Sequence, residues 1–255
     1  MRRVWLIGGT HESAEIAMAI ALANLPCIVS VTTESARSLY PHTSCLTVWV
    51  GRLTPAQIPD FLQQHQICAI LDASHPYAVE VSQTAISVAQ QLQLPYLRYE
   101  RPSLTTASPD IDVDSFDTLL SANYLHGRVL LTIGYRPLHL FQPWQDKATL
   151  FARILPSAIA LEAALNAGFT PDRLICIRPP ISPELELALW RQWQIQSVVT
   201  KASGTPGGED IKRRVANELG IPLLLIARPT VAYPQQTSNL DAATAFCAQH
   251  LNSSI

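Results

Sequence analysis

The sequence predicts an α/β protein built as two lobes, each with a mostly parallel sheet, and three observations carry that prediction. Short apolar runs alternate with helix-length amphipathic stretches along the chain, which is the pattern of repeated βαβ units. Apolar residues make up 48% of the 255 and charged residues only 15%, a balance that suits strands buried on both faces. A stretch rich in Ser, Thr, Pro and Asp at residues 103–114 interrupts the alternation and reads as a linker. At this length folding buries roughly 70–75% of the surface the unfolded chain exposes, so neither disulfides nor a structural metal are required.

The first lobe, residues 1–102, opens with an apolar run at 4–7, a Gly8-Gly9-Thr10-His11-Glu12 turn, and a helix carrying Ile16, Ile20 and Leu22. Further strands are expected at 28–32, 46–50, 69–71 and 96–98. Thr54 caps a helix with Pro55 at its first position and Gln57 completing a capping box, and Ile58, Phe61 and Leu62 face inward. Ala78, Val81, Ala85, Val88, Ala89 and Leu92 recur at helical spacing and cover a sheet face.

The second lobe, residues 115–255, repeats the rhythm with strands at 129–133, 150–154, 174–177, 197–200 and 223–226. Ser182-Pro183-Glu184 opens one helix; Glu209-Asp210 opens another, with Ile211, Val215 and Leu219 preceding a terminating Gly220. The halves look architecturally alike, yet no sequence repeat demonstrates duplication.

Charge and cysteine usage narrow the function. Eighteen Lys and Arg against twenty Asp and Glu give a net charge of −2, so no global field draws in nucleic acid or an anionic membrane. The five cysteines, Cys27, Cys45, Cys68, Cys176 and Cys247, are scattered and never in C-x-x-C spacing, so they read as plain buried thiols. Two arginines follow Met1, but Gly8-Gly9 breaks the apolar run at once; no signal peptide or span is expected, and the location is taken as cytoplasmic.

Candidate chemistry gathers where strands end. Gly8-Gly9-Thr10 follows a strand and precedes a helix, a place where backbone can approach a pyrophosphate and free helix amides can meet it. The full G-x-G-x-x-G fingerprint is absent, and taken alone the run reads more readily as a plain tight strand-to-helix turn. After the second strand, Ser35 and Arg37 suit the 2′-phosphate of NADP and Glu34 suits the ribose hydroxyls of NAD, with solvated loop residues as the alternative. None of the seven tyrosines has Lys four residues on, which disfavours a short-chain dehydrogenase.

Asp72-Ala73-Ser74-His75-Pro76-Tyr77 sits at the end of the fourth strand, with Pro76 at the expected helix start. A Ser-His-Asp hydrolase is a poor reading, because groups so close in sequence do not reach triad geometry and no G-x-S-x-G elbow exists. Arg98 and Arg101 lie just past the next strand, where salt bridges at the surface are the plain alternative to ligand binding. In the second lobe, Thr132-Ile133-Gly134-Tyr135-Arg136 and Lys201-Ala202-Ser203-Gly204-Thr205-Pro206-Gly207-Gly208 hold corresponding positions. The latter favours an anion but lacks P-loop order, and the seven histidines show no metal-ligand spacing.

These residues resemble the precorrin-6A reductase family nearly end to end. The resemblance rests on Gly8-Gly9-Thr10 with Glu12, Gly51-Arg52-Leu53, Asp72-Ala73-Ser74-His75-Pro76-Tyr77-Ala78, Pro95-Tyr96-Leu97-Arg98 with Glu100-Arg101-Pro102, and Thr200-Lys201-Ala202-Ser203-Gly204 with Gly207-Gly208. It implies two Rossmann-like lobes with an interdomain cleft, a nicotinamide cofactor on the first lobe, and a tetrapyrrole in the cleft. The implied reaction is hydride transfer to a ring double bond in corrin biosynthesis, turning precorrin-6A, or its cobalt counterpart, into precorrin-6B. NADPH is the expected cofactor, with NADH as the alternative; transient contact with other corrin-pathway enzymes is implied, and no nucleic acid or membrane partner.

Residues and resemblance together assign Gly8, Gly9, Thr10, Glu12, Ser35, Arg37 and Asp72 to the cofactor. Tyr77, Arg98, Arg101, Tyr135, Arg136, Ser203 and Gly204 are assigned to the substrate, whose carboxylates the arginine forks would pair with bidentately. Catalysis falls to His75, Lys201 and Ser74, with His75 or Lys201 stabilising or protonating the reduced ring. Two departures matter: Ser74 stands where the family usually has Thr, and Ala202 where it commonly has Asp. A non-catalytic NAD(P) sensor and another Rossmann-type transferase remain the competing readings.

Overall fold

The computed structural model describes residues 1–104 and 110–252, which divide into two compact units. In the first, strand β1 (Arg3–Ile7) leads into helix α1 (His11–Leu22), followed by β2 (Cys27–Val31), the single turn α2 (Glu34–Arg37) and β3 (Leu46–Val50). Helix α3 (Ile58–Gln64), β4 (Ile67–Asp72), α4 (Val79–Gln91) and β5 (Tyr96–Tyr99) complete this stretch. β1 shows why such a sequence makes a central strand. Its period of two sends Val4 and Leu6 to one core with Ile16, Ile20 and Phe246, and Trp5 and Ile7 to the other with Ile58, Phe61 and Val88.

The second unit begins with β6 (Ile111–Val113) and α5 (Phe116–Ser121), then β7 (Arg128–Thr132), β8 (Thr149–Ile154), α6 (Ala158–Asn166) and β9 (Leu174–Cys176). Helix α7 (Pro183–Gln192), β10 (Ser197–Lys201), α8 (Glu209–Leu219) and β11 (Leu223–Ile226) follow. Ser182 caps α7 through the Leu185 amide, and Gly220 ends α8 at φ 64°, as expected for a left-handed stop. The chain then returns to the first unit as β12 (Gln236–Thr237) and α9 (Leu240–Asn252).

Among the described residues every strand pair in both sheets is parallel, and the two orders correspond: β12-β5-β4-β1-β2-β3 in the first and β6-β11-β10-β7-β8-β9 in the second. In each, the chain winds outward from a central strand, then crosses to the other side. The carboxyl ends of β1 and β4, and of β7 and β10, are therefore topological switch points, where open α/β sheets bind ligands.

The expected lobe boundaries need correction. The units are Met1–Pro102 with Pro229–Ile255, and Ser103–Arg228. Residues 229–255 belong to the first unit because α9 buries Ala243, Phe246 and Cys247 in the core of β1 and β2, and β12 extends that sheet beside β5. Residues 111–113 of the expected linker form an edge strand on β11; residues 105–109 lie outside the described residues.

Smaller corrections have local causes. The helix after Thr54 starts as a 3-10 turn (Pro55–Gln57) before α3, with Gln57 Oε1 accepting the Thr54 amide at 3.0 Å. Pro76 does not start α4, because residues 75–78 close a turn in which the Ala78 amide donates to the His75 carbonyl at 2.7 Å. Cys27, Cys68 and Cys247 are buried, whereas Cys45 is half-buried and Cys176, on edge strand β9, is exposed; all five are free thiols. Among the described residues no helix is long and apolar enough to cross a membrane.

Candidate active site

At the first switch point, the glycine turn and the Asp72 turn are stitched together. Thr10 caps α1, accepting the Ser13 amide, while its own hydroxyl donates to the Ala73 carbonyl at 2.9 Å. Gly9 has φ 102°, a conformation that strains any side chain, and nothing stands within 4 Å of where its Cβ would be. Gly8 is enclosed instead: a Cβ there would lie 2.4 Å from the Tyr40 hydroxyl. The first amides of α1, those of His11 and Glu12, have no intrahelical partner by position and offer the anion-attracting end of the helix. An open backbone over Gly9 beside a helix N-terminus fits a dinucleotide pyrophosphate.

Asp72, assigned to the cofactor from sequence, is fully buried and committed to the protein. Its carboxylate accepts from the Ser74 amide at 2.9 Å, Ser82 Oγ at 2.6 Å, Tyr96 Oη at 2.7 Å and Arg98 Nη1 at 3.0 Å. Arg98, expected on the substrate, is only 1% exposed; Nη1 also donates to Ser74 Oγ at 3.0 Å, and Nε to Glu100 at 2.9 Å. Although burial opposes the charge, Asp72 and Glu100 hold the guanidinium above its usual pKa, and burial together with Asp72 pushes the Tyr96 phenol up. A charge with so little access to water takes its counter-charges from the protein, so Asp72 and Arg98 brace the turn. Ser74, assigned to catalysis, is buried with its hydroxyl on Arg98.

His75 and Tyr77 stand further out. His75 is exposed, and its Nδ1 accepts the Tyr77 amide at 3.2 Å, so the neutral ring carries its proton on Nε2. Tyr77 is half-buried, its ring 5.7 Å from that of His75. Arg101 is buried too, with Nη1 2.8 Å from the Glu12 carboxylate in the first turn of α1. Glu12 and Arg101 line a crevice with Thr10, Ala73, Ser74 and Arg98. The bland surface alternative for the two arginines therefore fails, since both ion pairs are interior.

Ser35 and Arg37 are exposed on α2, with Arg37 3.0 Å from Glu34. Arg37 also borders a groove with His42, Thr43 and Ser44, residues that no sequence motif singled out.

At the second switch point, β10 ends in half-buried Lys201 and β7 leads to half-buried Tyr135 and exposed Arg136. Burial, reinforced by Arg136, lowers the Lys201 pKa to about 8. Ser203 and Gly204 are buried at the base of the glycine run. Two side chains from α8 hold that run, and sequence reasoning missed both. Glu209 accepts the Gly204 amide at 2.7 Å, and Lys212 Nζ donates to the carbonyls of Gly207 at 2.7 Å and Gly208 at 3.1 Å. Lys212 is 3% exposed, and burial with nearby Arg153 lowers its pKa to about 8. The signal was present: Glu209, Lys212 and Ala216 fall at helical spacing on the buried stripe of α8, where charged residues need a reason.

Comparison with known proteins agrees along the whole chain. A family model described as precorrin-6x reductase CbiJ/CobK matches residues 3–248. A cobalt-precorrin-6A reductase of Synechocystis sp. is 49% identical over 254 residues, covering 98% of this chain and 97% of the relative. Another of that description, from Priestia megaterium, is 32% identical over 236 residues, covering 90% and 92%. A solved structure described as CobK precorrin-6A reductase shares the fold at a TM-score of 0.80 and 24% identity, covering 98% of this chain and 97% of its own. With the family pattern spanning both units and close relatives matching from end to end, this chain belongs to the precorrin-6x reductase family.

Proposed function

We propose that the protein reduces a ring double bond of precorrin-6A, or of its cobalt-containing counterpart, with NADPH as hydride donor, in cobalamin biosynthesis. The observation that carries this reading is the gathering of the motif residues at the two switch points, Gly9, Thr10 and His75 in one unit and Arg136 and Lys201 in the other. The names of the relatives from Synechocystis and Priestia megaterium favour the cobalt form. A cytoplasmic location and delivery of product by transient contact with other corrin-pathway enzymes belong to the same proposal.

In the first unit, the open backbone at Gly9 and the leading amides of α1, the helix that Thr10 caps, would hold the pyrophosphate. Ser35 and Arg37, with the adjoining groove at His42, would take a 2′-phosphate, which favours NADPH over NADH. When bound, the nicotinamide supplies the hydride. Tyr77, Tyr135 and Arg136 would orient the macrocycle, Arg136 by pairing with its carboxylates, and Arg101 would act from its seat on Glu12. Ser203 and Gly204 shape the floor beside Lys201.

Hydride arrival leaves an electron pair on the conjugated ring, and a proton must neutralise it. Lys201 Nζ is the first donor proposed, because a pKa of about 8 keeps it protonated at neutral pH yet willing to release the proton. His75 Nε2 is the second, the ring nitrogen not taken by the Tyr77 amide. The test mixes the protein, without oxygen, with NADPH or NADH and precorrin-6A or cobalt-precorrin-6A, and follows nicotinamide absorbance. Oxidation only with a tetrapyrrole present is expected; none with any combination overturns the proposal in favour of a sensor.

A further inference from the structure

Tyr40 belongs to the connection between α2 and β3, carries no motif, and is 4% exposed. Its hydroxyl accepts the Gly9 amide at 2.7 Å and lies 2.7 Å from Ser13 Oγ. The protons on this chain can be placed. Ser13 Oγ already donates to the Thr10 carbonyl at 2.7 Å and accepts the Thr10 amide at 3.0 Å, so the Tyr40–Ser13 bond must use the tyrosine proton. A one-way relay results, from Gly9 N–H to Tyr40 O–H to Ser13 O–H to the Thr10 carbonyl. Burial, the largest influence, raises the phenol's pKa, so the relay keeps its proton.

Two consequences follow for the turn. The amides of Gly9 and Thr10 face the interior, which leaves those of His11 and Glu12 as the donors presented outward. Gly8 and Tyr40 also fit each other, since the hydroxyl stands where a side chain at position 8 would be and Val29 closes the rest at 2.9 Å. The turn is thus rigid before any ligand arrives, and preorganisation of this kind lowers the ordering cost of binding. Tyr40 also lies between Arg37 and Pro41, which line the groove assigned above to the 2′-phosphate. One short segment would thus serve both the 2′-phosphate and the pyrophosphate of the dinucleotide.

We infer that Tyr40 is a positioning residue for the cofactor: through Ser13 it fixes the Gly8-Gly9-Thr10 turn in its binding shape, an inference that rests on NADPH being held by the first unit. The test compares the full-length wild type with Tyr40→Phe and Ser13→Ala. NADPH affinity is read by nicotinamide fluorescence, kinetics at saturating substrate, and the Gly9 amide by hydrogen exchange in the ligand-free protein.

Tyr40→Phe is expected to weaken NADPH binding about tenfold and raise its KM equally, because one buried donor and one acceptor lose their partner. Turnover at saturating NADPH and the KM for the tetrapyrrole should stay within about twofold, and Gly9 should exchange faster. Ser13→Ala should show the same split, which keeps the inference testable if Tyr40→Phe does not fold. Unchanged NADPH affinity in both variants, or a fall in kcat together with a rise in both KM values, overturns the inference and leaves the reductase reading standing. A wild type that binds neither NADPH nor NADH overturns both.

Discussion

Arg98 Nη1 lies 3.0 Å from Asp72 Oδ1 with both side chains sealed from water, and this pair organises the first switch point. Ser74, Ser82, Tyr96 and Glu100 complete its shell, and Tyr233 lies under the guanidinium with its ring centroid 5.2 Å away. Removing one partner leaves the other charged and buried. Arg98→Met should therefore destabilise the protein by about 3–5 kcal/mol. Denaturant unfolding measures this; a loss near zero would show the network to be dispensable.

Lys201 predicts the pH profile. A proton donor must be protonated, so kcat should fall as pH rises through about 8, the value to which burial and Arg136 bring this lysine. In Lys201→Arg the guanidinium keeps its proton, and the descending limb should move to higher pH with turnover reduced about 100-fold or more. An unmoved limb would pass the role to another group, and the matching His75→Ala profile would show whether it is His75.

Cofactor choice should depend on Arg37. It is exposed, so it can turn from Glu34 to a 2′-phosphate at small cost. Arg37→Ala should lower NADPH affinity about tenfold while leaving NADH affinity nearly unchanged. Equal losses for both cofactors would mean that Arg37 does not read the phosphate.

The glycine run of the second unit should respond to Lys212. Its folded pKa of about 8 lies below the 10.5 of an open chain, so between those values the unfolded protein binds the extra proton. Stability from this residue must then rise with pH across that window. Lys212→Met should flatten the rise, measurable as unfolding free energy against pH. It should also raise the KM for the tetrapyrrole about tenfold with little change in NADPH affinity, since two carbonyls lose their donor.

Much of the architecture was readable because central parallel strands are apolar on both faces. The expected runs at 46–50 and 223–226 coincide with β3 and β11. The short edge strands β6 and β12 were not readable, since Ile111–Val113 and Gln236–Thr237 are too brief for a period and take their order from β11 and β5. At the site, glycines and His75 announced themselves through motifs. Sequence placed Arg98 and Asp72 at the right strand ends but not on the right side of the surface, because whether a strand-end charge faces water or a partner depends on residues such as Tyr96 and Glu100. Tyr40 gave no local signal: its meaning comes from contact with Gly9 and Ser13, far away in the chain.

The chain's return after Arg228 bears on synthesis. Ser103–Arg228 is one uninterrupted stretch, whereas the other unit is assembled from segments on either side of it. A ribosome thus completes the middle body before the other unit, because the core around Val4 and Ile16 waits for Phe246 and Cys247 to emerge. A chain truncated after residue 230 and released from the ribosome should protect the middle body from proteolysis and leave the leading hundred residues open to cleavage.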